Sequence, residues 1–168
     1  MLAVVGGTST AGCVDRAPVL DPASVFEGVE DYGFNRLPPT FERDVQHAYL
    51  ANPDLADHVT DVEIRTVVDP GGEAVALAMV LAVDPDVVGG PGFDRQVAEG
   101  FSAEAGSPMQ EIRVGGQRVF EGTPIGVLGG THALIWREAN LVVVLLGERP
   151  RDDRAAAEAM IGRRSAES

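Results

Sequence analysis

The clearest structural signal in the sequence is the stretch AVALAMVLAV, which runs from Ala74 to Val83. Its odd-numbered positions carry large apolar side chains, and its even-numbered positions are alanine except for Val80. Neither set contains a polar residue, so the alternation predicts a β-strand that is covered on both faces. The face of small residues predicts a close-packed cover there, either a helix or the N-terminal segment.

The residues before this stretch predict its hairpin partner. Asp69-Pro70-Gly71-Gly72 is a strong turn signal. Ahead of that turn, Val62 to Val68 alternates, with Val62, Ile64, Thr66 and Val68 on one face. Residues 62–83 are therefore predicted to form a long antiparallel hairpin.

Four further strands are predicted in the second half of the chain. Residues 109–114 and 117–121 flank Gly115-Gly116, a two-residue link that favours a hairpin. Residues 131–137 and 141–146 then complete a four-strand meander. Apolar spacing and end charges predict helices over 40–51, 93–105 and 152–164.

Together these elements predict an α+β domain, with a mostly antiparallel sheet and about three packed helices in an α/β-sandwich-like arrangement. The order of elements resembles that of small extracytoplasmic α/β-sandwich modules such as the PsbP-like fold. That resemblance concerns the order of elements and implies no particular function.

The N-terminus contains a candidate targeting signal. A weakly apolar run ends in Thr10-Ala11-Gly12-Cys13, and Cys13 is the single cysteine. This segment resembles the lipobox of prokaryotic lipoproteins, in which small residues precede a cysteine that is lipidated and becomes the mature N-terminus. The match is imperfect, because no basic residue precedes Arg16 and Thr10 stands where the pattern usually has leucine.

The lipobox resemblance implies a leader over 1–12. The aperiodic, proline-containing segment that follows predicts a tether over 13–24, and the chain length predicts a single domain over 25–168. The resemblance also implies an extracytoplasmic location, with a lipid on Cys13 as the one membrane contact. Without lipidation of Cys13, the alternative is a cytoplasmic domain.

The chain is strongly acidic, with a formal net charge of −13. The excess lies entirely between Cys13 and Gly147, because the segment from Glu148 to Ser168 has equal numbers of acidic and basic residues. An acidic domain surface repels phosphate backbones, which argues against a nucleic-acid partner.

One acidic cluster has the composition of a cation site. If residues 54–61 are helical, the following side chains share one face: Asp54, Asp57, His58 and Asp61. Three carboxylates and an imidazole are able to hold a divalent cation. The alternative interpretation is a solvated acidic helix end.

A second candidate site is a pair of arginines. Arg113 and Arg118 are expected to lie opposite each other across the predicted 109–121 hairpin, where like charges repel. An anionic ligand could relieve the repulsion, and so could the neighbouring Glu111. The internal pairing is the favoured interpretation.

No catalytic or cofactor motif is present. The sequence has no Gly-x-Ser-x-Gly elbow and no phosphate-binding loop, and its three histidines (His47, His58 and His132) are scattered. The sequence therefore predicts a non-enzymatic binding or accessory module without a cofactor, whose partner is an envelope protein or a small ligand. The alternative is an enzyme with a site assembled from the Asp54–Asp61 face or His132.

Overall fold

The computed structural model describes residues 19–43, 57–84, 93–105, 108–123 and 132–163. The predicted leader and lipobox with Cys13 lie outside the described residues. Asp54 and His47 also lie outside them, as does most of the helix predicted over 40–51. Residues 39–43 of that helix are described, and they are helical.

The described residues form one sheet of seven antiparallel strands in the order β1-β2-β3-β7-β6-β5-β4. The strands are β1 Gly33–Arg36, β2 Val59–Val68, β3 Ala74–Val83, β4 Gln110–Val114, β5 Gln117–Gly122, β6 His132–Glu138 and β7 Leu141–Gly147. A 3₁₀ helix spans Pro22–Phe26. Besides the helical residues 39–43, the described part of the chain has two α-helices, α1 Phe93–Ala105 and α2 Pro150–Gly162. The predicted α+β class is confirmed.

Strand β3 lies inside the sheet, as its two apolar faces predict. It pairs with β2 on one side and with β7 on the other. The β3–β7 pairing joins the first hairpin to the four-strand meander, which makes one continuous sheet. Within the meander, Gly115 and Gly116 have φ values of 55° and 83°, the left-handed conformation that a tight two-residue hairpin link requires.

Helices cover both faces of the sheet. The alanine-rich face of β3 packs in a core with Val25 and Phe26 of the 3₁₀ helix and with Met160 of α2. The opposite face forms a second core with Phe93, Val97 and Ala98 of α1. The small side chains of β3 thus allow the 3₁₀ helix and α2 to approach closely, which confirms the predicted close-packed cover.

The domain begins earlier than the sequence indicates. The backbone N–H of Leu20 donates to Asn140 Oδ1 at 2.7 Å, and the Asn140 amide donates back to the Leu20 carbonyl at 3.2 Å. Residues from Leu20 onward therefore belong to the domain, whereas the predicted tether extended to residue 24. The correction follows from a side-chain contact across the fold, which local sequence does not reveal.

The segment after Val25 also contains a strand that the sequence did not predict. Strand β1 pairs with β2 and sets Phe34 5.0 Å from the Phe26 ring, measured between centroids. The Arg65 guanidinium lies 4.6 Å from the centroid of Phe26, a cation–π distance. These contacts hold an aperiodic segment in an extended conformation at the edge of the sheet.

Candidate functional site

His132 is the histidine around which the described residues build a polar site. It is the first residue of β6, and its side chain points to the same face as Leu134 and Trp136, toward α2. The ring is 5% exposed. In the neighbouring β5, Glu121 pairs with Leu134, two residues from His132 along β6, so its carboxylate lies on the same face as the His132 ring.

Four side chains meet around this ring, and together they are called the His132 cluster: His132, Glu121, Asp153 and Arg154. His132 Nδ1 lies 2.8 Å from Asp153 Oδ2, and Nε2 lies 2.8 Å from Glu121 Oε1. Arg154 donates to Glu121 through Nε at 2.7 Å and Nη2 at 2.6 Å. The cluster links β5 and β6 to the first turn of α2.

The geometry favours the charged form of the ring. A neutral imidazole donates from one nitrogen only, whereas the imidazolium donates from both. Burial opposes that charge, but the hydrogen bonds to Asp153 and Glu121 outweigh it and raise the pKa of His132. Arg154 is the main cause of the lowered pKa of Glu121, and His132 lowers it further, against the effect of burial.

This arrangement limits what His132 can do chemically. Both ring nitrogens donate in the imidazolium form, so neither lone pair is available to bind a metal ion or to accept a proton from a nucleophile. The described contacts of His132 therefore suit an electrostatic link between elements better than general acid–base catalysis.

Asp153 is the most deeply buried member of the cluster. Its side chain is fully buried, and its Oδ1 has no hydrogen-bond partner among the described residues. The carboxylate lies against the backbone of Gly147, where a Cβ would overlap it. Glycine at the end of β7 is thus the residue that makes room for Asp153.

The predicted cation ligands do not share a helix face where they are described. Asp57 and His58 lie in a turn, and Asp61 belongs to β2, so the helical spacing assumed for residues 54–61 does not hold there. Asp61 accepts from the Val62 N–H, and the His58 ring lies 6.4 Å from that of Phe93. Within the described ranges, no group of three His, Cys, Asp or Glu residues could hold a metal ion.

The two arginines are opposite each other, as predicted. Arg113 pairs with Arg118 across the β4–β5 hairpin. Arg118 donates to the buried Asp94 of α1 at 2.6 Å, and Arg113 donates to the Gly116 carbonyl at 2.9 Å. The sequence suggested Glu111 as the carboxylate that pairs with Arg118. In the structure that carboxylate is Asp94 of α1. An anion contact at this pair stays a prediction.

A groove of about 310 Å³ opens at the end of the sheet where β3 begins and β7 ends. Its lining is mostly apolar and comes from β3, the end of β7 and the segment after β1. The main apolar residues are Leu37, Phe41, Val75, Leu77 and Leu146, and the polar ones are Thr66, Glu148 and Arg149. Phe41 is 43% exposed.

Sequence reasoning named His132 but missed its partners, because these come from separate elements. One signal was available for Asp153. It occupies the same face of α2 as Ala156, Ala157 and Met160, at a spacing of three, four and seven residues. A carboxylate in an otherwise apolar stripe indicates a buried charge that needs a partner.

No protein-family model, curated protein or solved structure matches this chain. Among the described helices, none has the length and apolar character needed to cross a membrane.

Proposed function

We propose that this protein is a non-enzymatic binding module, held at the extracytoplasmic face of the cell membrane by a lipid on Cys13. In this proposal, the groove at the end of β3 and β7 takes a small apolar ligand. The observation that carries the binding role is the groove itself, with the half-exposed Phe41 on its wall.

The size and lining of the groove support a ligand site. Ligand sites are typically concave, mostly apolar and upward of about 300 Å³ in volume, with a few polar groups that orient the ligand. Thr66 and Arg149 supply such groups here. Arg149 forms exposed ion pairs with Glu73 at 2.8 Å and Asp152 at 3.2 Å.

The His132 cluster supports the non-enzymatic role. His132 was the sequence candidate for a scattered active site, and its two ring nitrogens are both engaged by carboxylates. A general base needs a free lone pair that faces the substrate.

The position of the N-terminal segment is compatible with anchoring. Leu20 binds Asn140, just before β7 begins, whereas the groove lies where β7 ends at Gly147. A strand of this length spans about 20 Å at 3.3 Å per residue. Leu20, where the described chain begins to bind the sheet, therefore lies at the end of β7 remote from the groove.

A fluorescence titration tests the groove. The probe is N-phenyl-1-naphthylamine, an apolar dye that brightens when it leaves water. We expect saturable binding, and we expect Phe41→Ser to weaken it about tenfold, because the ring loses apolar contact worth about 1.4 kcal/mol.

Val19→Ser is the matched control for this substitution. Val19 is also a large exposed apolar residue, at 64%, but it does not line the groove. Its substitution should leave dye affinity unchanged. Absence of saturable binding, or equal weakening by the two substitutions, would count against a ligand site in the groove.

A further inference from the structure

Helix α2 is joined to the sheet by a buried ion pair at each end. At its first turn, Asp153 meets His132, and after its last turn Arg163 Nη2 lies 3.1 Å from Glu138 Oε2. Both side chains of each pair are nearly or completely buried. Only the pair with His132 can lose its charge balance near neutral pH, because histidine changes charge in that range and arginine does not.

We propose that proton binding by His132 is a latch that holds the first turn of α2, together with the Glu148–Arg149 rim of the groove, on the sheet. The latch concerns the attachment of α2 and is independent of any ligand. Its effect on ligand affinity rests on the proposed function of the groove.

The charge balance of the cluster gives the first argument. Glu121 faces His132 from β5, and Asp153 faces it from α2, while Arg154 reaches the cluster through Glu121. The opposite residue of β7 is Gly147, which has no titratable group. With His132 protonated, two cations face two carboxylates and the cluster is neutral.

Loss of the His132 proton breaks this balance. The neutral ring keeps one N–H, which stays on Nδ1 toward Asp153, while the Nε2 lone pair faces Glu121. Arg154 still neutralises Glu121, but Asp153 is fully buried and has no second partner among the described residues. Asp153 then keeps one hydrogen bond but has no counter-charge. A buried carboxylate without a counter-charge is costly, and the cost falls when the first turn of α2 moves and admits water.

The connection to the groove gives the second argument. The Asp153 carboxylate lies against Gly147, and Gly147, Glu148 and Arg149 line the groove directly before α2. Arg149 is the N-cap residue of α2, and its carbonyl accepts from Asp153 N at 3.0 Å. A shift of the first turn therefore carries the groove rim with it.

The raised pKa of His132 sets the direction of the pH dependence. A group whose pKa is higher in the folded state stabilises that state below its unfolded pKa. This contribution is lost as the pH rises through the folded pKa. The latch is therefore closed in mildly acidic solution and opens as the pH rises through the raised pKa of His132.

Amide hydrogen exchange on the wild-type protein tests the latch. The His132 ring is titrated by NMR in parallel. We expect protection of residues 153–157 in α2 to fall at least tenfold relative to α1 as His132 loses its proton. Helix α1 is the internal reference, because base catalysis accelerates intrinsic exchange in both helices alike.

Two variants should change the pH dependence of α2 protection in different ways. Asp153→Asn should abolish the pH dependence of α2 protection. Arg154→Gln changes a half-exposed side chain and removes a positive neighbour, so it should move the transition to higher pH. If α2 and α1 keep a constant ratio of protection through the His132 titration, or if Arg154→Gln leaves the transition in place, the latch is overturned.

Dye binding separates this proposal from the function of the groove. We expect weaker N-phenyl-1-naphthylamine binding above the His132 transition in the wild type and no such change in Asp153→Asn. Absence of dye binding at every pH would overturn the proposed ligand site and leave the exchange result standing as evidence for the latch. Constant α2 protection would overturn the latch even where the dye binds.

Discussion

The space at Gly147 is filled by the Asp153 carboxylate, so this glycine has a packing role although its backbone has an ordinary strand conformation. A methyl group added there would overlap the carboxylate that binds His132. The side chain of Asp153 is fully buried and cannot move aside into solvent. A single-residue change at a site with no charge of its own should therefore disturb the whole His132 cluster.

Gly147→Ala is accordingly expected to lower the free energy of unfolding by about 1–3 kcal/mol, the usual cost of overpacking a core. Urea unfolding followed by the fluorescence of Trp136, the single tryptophan and fully buried, measures this change.

The matched control is Gly33→Ala in β1. A Cβ at Gly33 would meet the Val68 Cβ at 3.5 Å, an ordinary van der Waals contact. The free energy of unfolding of Gly33→Ala should stay the same or rise by up to about 1 kcal/mol, because alanine restricts the unfolded chain. Equal losses at the two positions would contradict the packing role assigned to Gly147.

At the scale of elements, the alanine face of β3 determines how closely α2 and the 3₁₀ helix approach the sheet. Ala78 is fully buried in the core that these two elements share with the sheet. We expect Ala78→Leu to lower the free energy of unfolding by about 1–3 kcal/mol, because the added volume has no room without displacement of a helix.

The same substitution at Ala74 is the control for Ala78→Leu. Ala74 belongs to the same strand but is exposed. Surface substitutions usually change stability by less than about 0.5 kcal/mol, so Ala74→Leu should unfold at nearly the same urea concentration as the wild type. A similar loss in both variants would mean that strand propensity, and not packing, sets the effect.

The elements that sequence predicted well are those with strong local patterns. The predicted bounds of β3 and of α1 agree with the structure, since their apolar periodicity is unbroken from end to end. Strand β1 and the 3₁₀ helix were missed, because residues 22–36 have no periodicity. Their structure depends on non-local contacts such as the Leu20–Asn140 hydrogen bonds.

The candidate site was far less predictable than the fold. Glu121, His132 and Asp153 lie in three elements, and their contact depends on the β5–β6 register and on the docking of α2. For Arg118, local reasoning chose Glu111, the carboxylate nearest in the predicted hairpin. The structure supplies Asp94 from α1 on the sheet face. Spacing along one strand or helix cannot reveal such partners.

In the whole molecule, the proposed ligand groove and the first described residues of the chain lie at different ends of one sheet. The N-terminal segment joins beside Asn140, and the groove opens beside Gly147. Between them the core is covered on both faces. The anchor itself is proposed from the lipobox-like Thr10-Ala11-Gly12-Cys13, which lies outside the described residues.

The lipid anchor on Cys13, on which the proposed location depends, is tested by the intact mass of the protein recovered from membranes of its native host. Wild type is compared with Cys13→Ser, and Ser9→Ala is the control because it lies outside the four lipobox positions. We expect a chain that begins at Cys13 with added diacylglyceryl mass in wild type and Ser9→Ala, and no such species in Cys13→Ser. An unmodified, soluble chain that still begins at Met1 would contradict the lipid anchor.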